Sequence, residues 1–64
     1  MILEDLEKVI LQELSNGKTV PEIAKLYDYG LRTVYNYTDT IRLKLDAKTQ
    51  AHAVAIALRE GYIK

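Results

Sequence analysis

The sequence predicts a single all-α domain of four short helices, over about residues 4–15, 20–27, 31–45 and 49–60. Three observations predict this fold. Apolar residues recur at steps of three and four along most of the chain, which is the spacing of one helix face. Glycine or other turn-forming residues end each periodic segment. The chain has 64 residues, enough for one domain, which we expect to cover residues 1–64.

The composition narrows the class of protein. There is no cysteine, so neither a disulfide framework nor a thiolate metal site is expected. No apolar run approaches the length that spans a bilayer, and the N-terminus lacks the basic segment that opens a signal peptide. We therefore expect a cytoplasmic protein without membrane association. No Ser/His/Asp set, glycine-rich phosphate loop or catalytic carboxylate pair stands out, so we expect neither enzymatic activity nor a cofactor.

The net charge is zero, but the charged residues are unevenly distributed. Residues 1–16 contain four acidic residues and one basic residue, whereas residues 31–45 contain three basic residues and one acidic residue. Basic residues supply most of the sequence-independent affinity for DNA. The distribution favours residues 31–45 as the segment that contacts nucleic acid, although the basic excess is small.

The first two helices have clear sequence boundaries. Leu3, Leu6, Ile10 and Leu14 form the apolar face of the first helix, and Gly17 provides its C-terminal stop. The second helix begins with a capping box, in which the side chains of Thr19 and Glu22 bond to each other's backbone N–H groups. Its predicted apolar face consists of Val20, Ile23, Ala24 and Tyr27.

The third helix follows a turn at Asp28-Tyr29-Gly30 and has two distinct faces. The predicted inward face consists of Val34, Tyr37, Thr38, Ile41 and Leu45. The predicted outward face consists of Arg32, Thr33, Tyr35, Asn36 and Asp39. A short helix, a tight turn and a longer helix with a polar outer face together indicate a helix-turn-helix.

The fourth helix is predicted to begin at a Thr49 cap and to end before Gly61, and it is apolar nearly all round. One face, with Ala53, Val54 and Ala57, can pack on the helix-turn-helix. The other face has no obvious partner within so small a domain. We therefore expect it to be a subunit interface of a homodimer, formed by Ala51, Ala55, Leu58 and Tyr62.

Several short motifs occur in register over about residues 6–63. They are Ile10-Leu11 and Leu14 before Gly17, Thr19-x-x-Glu22-Ile23-Ala24, Thr33-Val34, Ile41-x-x-Lys44-Leu45, Ala53-Val54-x-x-Ala57 and Gly61-Tyr62-Ile63. In these motifs the sequence resembles the LuxR/GerE-type helix-turn-helix DNA-binding domain of bacterial transcription regulators. The resemblance implies a third helix that enters the major groove of double-stranded DNA and a fourth helix that commonly forms a two-fold dimer.

The resemblance and the outward face of the third helix together suggest five DNA-contacting residues. Arg32 would read a guanine or contact a phosphate, and Asn36 would bond an adenine. Thr33 would bond a phosphate near the helix N-terminus, and Tyr35 a phosphate or a thymine methyl. Lys44, which matches the Lys-Leu step of the family, would contact a phosphate.

The sequence also departs from the family in ways that favour a second interpretation. Tyr35 and Tyr37 replace residues that are commonly lysine and histidine in the family, and Asp39 occupies a commonly basic position. Asp39 could accept a hydrogen bond from cytosine, but carboxylates beside phosphates are usually unfavourable. The alternative function is a protein-interaction module of the same fold, which docks on or heterodimerises with another transcription regulator and binds DNA weakly or not at all.

Overall fold

The computed structural model describes residues 3–64, which form four α-helices and no strand. The helices are α1 (Asp5–Ser15), α2 (Val20–Leu26), α3 (Leu31–Leu45) and α4 (Gln50–Arg59). The all-α prediction is confirmed, and the predicted helix boundaries agree with the structure to within one residue. None of these helices is long and apolar enough to cross a membrane.

The four helices surround one apolar core. The α2 and α4 helices each pack on both α1 and α3, so α1 and α3 form the centre of the domain. The predicted inward residues Val34, Thr38 and Ile41 of α3 are buried, as are Ala53 and Ala57 of α4. The buried apolar side chains are Leu3, Ile10, Leu11, Val20, Ile23, Ala24, Val34, Ile41, Ala53, Ala57 and Ile63. Because one side of α3 is buried in this core, the position of its outer face is fixed relative to the other helices.

Threonine side chains begin α2 and α4, as the sequence predicted. The Thr19 hydroxyl accepts the Glu22 N–H at 3.3 Å, and the Glu22 carboxylate accepts the Thr19 N–H at 2.8 Å. The Thr49 hydroxyl accepts the His52 N–H at 3.0 Å. Each cap satisfies a backbone N–H that a helix leaves without an intrahelical partner.

Each of the four helices ends in the same kind of turn. A residue with positive φ follows the helix, and the next backbone N–H bonds back to a carbonyl in the last turn at 2.8–3.1 Å. This is the Schellman arrangement, which favours glycine at the left-handed position. Gly17 and Gly61 occupy that position after α1 and α4, but Asp28 and Asp46 occupy it after α2 and α3.

The prediction that Tyr27 belongs to the apolar core is wrong. Tyr27 lies just beyond the end of α2, and the residue is 38% exposed. The chain reverses at Asp28, whose φ is 58°, so Tyr27 is carried onto the surface, where its hydroxyl donates a hydrogen bond to Glu13 of α1. Tyr37, the other predicted core tyrosine, is half-buried and makes an edge contact with Tyr29 at a ring-centroid distance of 6.4 Å.

Candidate nucleic-acid interface

The face of α3 that points away from the core carries three polar residues in one line. Successive residues of an α-helix are separated by about 100° around the axis. With Val34 and Thr38 buried, Arg32, Asn36 and Asp39 fall on the opposite side, and all three are exposed. We call this set the outer line of α3. It contains a cation, an amide and a carboxylate within two turns of helix.

The first turn of α3 adds backbone donors to this surface. The helix begins after Gly30, which has no side chain to bond the first N–H groups. Those groups therefore remain available beside Arg32 and the exposed Thr33. The positive end of the helix dipole lies at the same place, which makes this end of α3 favourable for negatively charged groups.

Tyr35 lies on a flank of α3 rather than on the outer line. Its side chain lines an open groove of about 440 Å³, together with residues from the start of α2 and the start of α4. The residues that line this groove include Thr19 and Pro21 near the start of α2, and Gln50 and Ala51 at the start of α4. Tyr35 is exposed, as predicted for the outward face, and it lies beside the surface that Arg32 and Asn36 occupy.

Asp39 is joined to the next turn of the same helix. The Arg42 guanidinium donates a hydrogen bond to the Asp39 carboxylate at 2.6 Å, as an i, i+3 ion pair. The Asp39 side chain is 60% exposed and that of Arg42 is 37% exposed. This pair neutralises one of the two arginines of α3 and leaves Arg32 as the dominant cation of the outer line.

Lys44 does not extend toward the outer line of α3. Its ammonium lies 2.7 Å from the carboxylate of Glu7, and the Glu4 carboxylate is 4.0 Å away. Glu7 is buried, with 1% of its surface exposed, and also accepts the Glu4 backbone N–H at 2.8 Å. The Lys44 side chain therefore joins α3 to α1 and compensates a buried charge.

The burial of Glu7 was not predicted from the sequence, which indicated only an acidic residue near the start of the first helix. A signal for it is nevertheless present. Glu7 lies four residues after Leu3 and three before Ile10, so it shares the apolar stripe of α1. A carboxylate at that position enters the core and requires a cation from another element.

The predicted subunit interface is partly accessible in the structure. Ala51 is exposed, Leu58 is 46% exposed, and Ala55 is half-buried, so these residues present an apolar strip along α4. Tyr62 lies outside this helix because the chain turns at Gly61, where φ is 78°. It is half-buried and packs against the core. The prediction that Ala51, Ala55, Leu58 and Tyr62 share one face of the fourth helix is therefore wrong for Tyr62.

Comparison with known proteins places this arrangement in a family. Residues 1–57 match the family model described as "Bacterial regulatory proteins, luxR family". The chain is similar to the transcriptional regulatory protein DesR of Bacillus subtilis (strain 168), with 34% identity over 62 residues. The match covers 97% of this chain and 31% of DesR, so the chain spans about a third of that relative's length. With its four-helix fold and its family match, the chain belongs to the LuxR family of bacterial regulatory proteins.

Proposed function

We propose that this protein binds double-stranded DNA as a homodimer, with α3 in the major groove, and regulates transcription in the bacterial cytoplasm. The observation that carries the proposal is the outer line of α3, where Arg32 and Asn36 are exposed side by side at the start of a helix held rigidly by the core. Arginine and asparagine are the side chains that bond guanine and adenine bidentately in the major groove.

The residues of α3 would divide the contacts between bases and backbone. Arg32 and Asn36 would face the base edges, because they lie on the outer line. Thr33 and the free N–H groups of the first turn would bond a phosphate, where the helix dipole adds to the attraction. Tyr35 lies on the flank, so its hydroxyl suits a phosphate of the groove wall better than a thymine methyl.

Lys44 has a structural role in this proposal. Its ammonium is paired with the buried Glu7 carboxylate, and moving it to a phosphate would leave that carboxylate without compensation. We therefore omit Lys44 from the proposed DNA contacts, although the family resemblance suggested it.

The apolar strip of α4 would form the dimer. Ala51 and Ala55 are small enough for two helices to approach closely, and Leu58 supplies apolar area to bury. Two copies related by a two-fold axis would place their α3 helices in successive major grooves. The operator would then be an inverted repeat, whose half-site spacing matches the separation of the two α3 helices.

The test of DNA binding is the substitution Arg32→Ala, measured by mobility shift over a range of salt concentrations. Loss of a phosphate contact weakens binding to all sequences and lowers the salt slope by about one unit. Loss of a guanine contact costs about 1–3 kcal/mol, mainly on the preferred site. Lys8→Ala makes the same charge change on α1 and should leave binding nearly unaltered. Equal effects of the two variants would argue against contact through α3.

A specific observation favours the alternative, a protein-interaction module that docks on or heterodimerises with another transcription regulator. The net charge of the chain is zero, and the Asp39–Arg42 pair leaves the outer line with little positive charge. The alternative predicts that the wild-type protein does not bind DNA even at low salt. The double variant Asp39→Lys/Tyr35→Lys would then acquire binding, because it adds cations to a fold that already suits the groove.

A further inference from the structure

We propose that Asp39 is a base-reading residue that accepts a hydrogen bond from the amino group of a cytosine, with Arg42 as its positioning residue. This inference rests on the proposed binding of DNA through α3. It assigns a specific base to a side chain that would otherwise only repel DNA.

The position of Asp39 is the first argument. It lies on the outer line, one turn after Asn36, and its side chain is 60% exposed. A helix in the major groove presents its outermost residues to the base edges and its flanks to the phosphates of the groove walls. The Asp39 carboxylate would therefore face bases, whereas a carboxylate at the flanking position of Tyr35 would face phosphates.

The ion pair with Arg42 is the second argument. The guanidinium lies 2.6 Å from Asp39 Oδ1 and offsets the carboxylate charge within the same helix. This reduces the repulsion that a lone carboxylate would meet in a groove lined by phosphates. A carboxylate offers about four acceptor positions, so a single bond from Arg42 leaves others for a DNA donor. Arg42 is only partly exposed, which limits the orientations that the pair can adopt.

The chemistry of the base edges selects cytosine. In the major groove guanine presents two acceptors, and thymine presents an acceptor and a methyl group, so a carboxylate gains no bond from either. Adenine has an amino donor, but its N7 acceptor lies beside it and repels a second carboxylate oxygen. Cytosine presents its amino donor and has no acceptor of its own on that edge. Asp39 would thus favour cytosine and disfavour the other bases, whose acceptor atoms would face the carboxylate oxygens.

The test is selection of binding sites from random double-stranded DNA with the wild type and the variants Asp39→Asn and Asp39→Ala. We expect the wild type to select cytosine at one position of each half-site. Asp39→Asn should change the preference at that position to adenine, because an amide both donates and accepts. Asp39→Ala should remove the preference. The wild type should bind its selected site at least about fivefold more tightly than a site with another base at that position, and Asp39→Ala should bind both sites equally.

Two control variants separate base reading from general electrostatics. Asp46→Asn makes the same charge change at the end of α3, at a left-handed position that asparagine tolerates, and should leave every base preference unchanged. Arg42→Gln removes the partner of Asp39, so it should weaken binding to the selected site and reduce the cytosine preference without changing it to another base. Circular dichroism checks that each variant keeps its helices.

The outcomes distinguish this inference from the proposed function. If the wild type selects a defined site and Asp39→Asn strengthens binding to all sequences equally, Asp39 only repels DNA; the inference is then wrong while DNA binding through α3 stands. If the wild type selects no DNA at low salt, the proposed function fails and the inference fails with it. If the wild type selects cytosine and only Asp39→Asn selects adenine at the same position, the result supports both the inference and the proposed function.

Discussion

The most consequential single residue inside the domain is the buried carboxylate of Glu7. Within residues 3–64 the carboxylate contacts the Lys44 ammonium at 2.7 Å and accepts the Glu4 backbone N–H at 2.8 Å. A buried charge is tolerated only when it is paired and hydrogen-bonded. The Glu7–Lys44 pair therefore joins α1 to α3 in a geometry that neither helix specifies alone.

Lys44→Met should destabilise the domain strongly because it leaves the Glu7 charge uncompensated. Breaking a buried pair costs about 3–5 kcal/mol, and we expect the lower end, since the Lys44 side chain is 24% exposed. Denaturant unfolding measures the loss. Lys25→Met, at an exposed position on α2, is the matched control and should change stability little. Similar values for both variants would contradict a structural role for Lys44.

Asp46 occupies a backbone conformation that suits glycine better than aspartate. Its φ is 54°, and it lies at the C-terminus of α3, where the helix dipole disfavours a negative charge. Asp46→Gly should therefore raise stability by about 0.5–1 kcal/mol. The reciprocal control is Gly17→Ala, which places a Cβ at a φ of 95° and should lower stability. Thermal unfolding of the two variants should move in opposite directions.

At the scale of elements, the capping box at the start of α2 is the strongest local feature. Thr19→Ala removes a cap bond worth about 1 kcal/mol, which corresponds to a loss of roughly 4–8 °C in melting temperature for a domain of this size. Thr40→Ala makes the same chemical change at an exposed position within α3 and should be neutral or slightly stabilising. If Thr19→Ala and Thr40→Ala have the same melting temperature, the Thr19 side chain does not cap α2 in solution.

The same capping box predicts a pH dependence. The backbone N–H of Thr19, followed by its hydroxyl, stabilises the Glu22 carboxylate and lowers the pKa of Glu22. A group with a lowered folded-state pKa contributes stability above its unfolded-state pKa, and this contribution disappears as the pH falls through the folded-state pKa. The melting-temperature difference between the wild type and Glu22→Ala should therefore be larger at neutral pH than well below about pH 4. A difference that is constant with pH would contradict the ionised form of the box.

At the scale of the whole molecule, stability and assembly are linked. The domain is small, with principal dimensions of 28 × 20 × 19 Å, and a chain of this length buries a limited share of its surface. Burying the apolar strip of α4 against a second copy would add to that share. The proposed dimer would thus both stabilise the fold and set the spacing of the two α3 helices.

Leu58→Glu should separate the dimer. Leu58 is 46% exposed within one chain, so a glutamate there is tolerated in the monomer but would bury an unpaired charge in the proposed interface. Sedimentation should report a monomer, and circular dichroism should show retained helices. Leu43→Glu, at an 80% exposed position on α3, is the matched control and should stay dimeric. An intact Leu58→Glu dimer would place the interface elsewhere.

The sequence by itself determined the local features of this protein. The helix boundaries, the threonine caps and the inward face of α3 all depend on residues within a few positions of each other, and all agree with the structure. The same is true of the predicted exposure of Arg32, Thr33, Tyr35, Asn36 and Asp39. The family resemblance, carried by motifs in register over most of the chain, is confirmed in the same way. Periodicity and capping are short-range properties, so one sequence is enough to read them.

Only the tertiary structure decided which polar groups meet across helices. Lys44 and Glu7 are separated by 37 positions, and no local rule predicts that they pair or that Lys44 is thereby turned away from the outer line of α3. The exposure of Tyr27 likewise follows from the turn at Asp28, and the packing of Tyr62 against the core follows from the turn at Gly61. Such contacts depend on how whole helices are oriented, and that orientation is set by burial of the shared core rather than by any one segment.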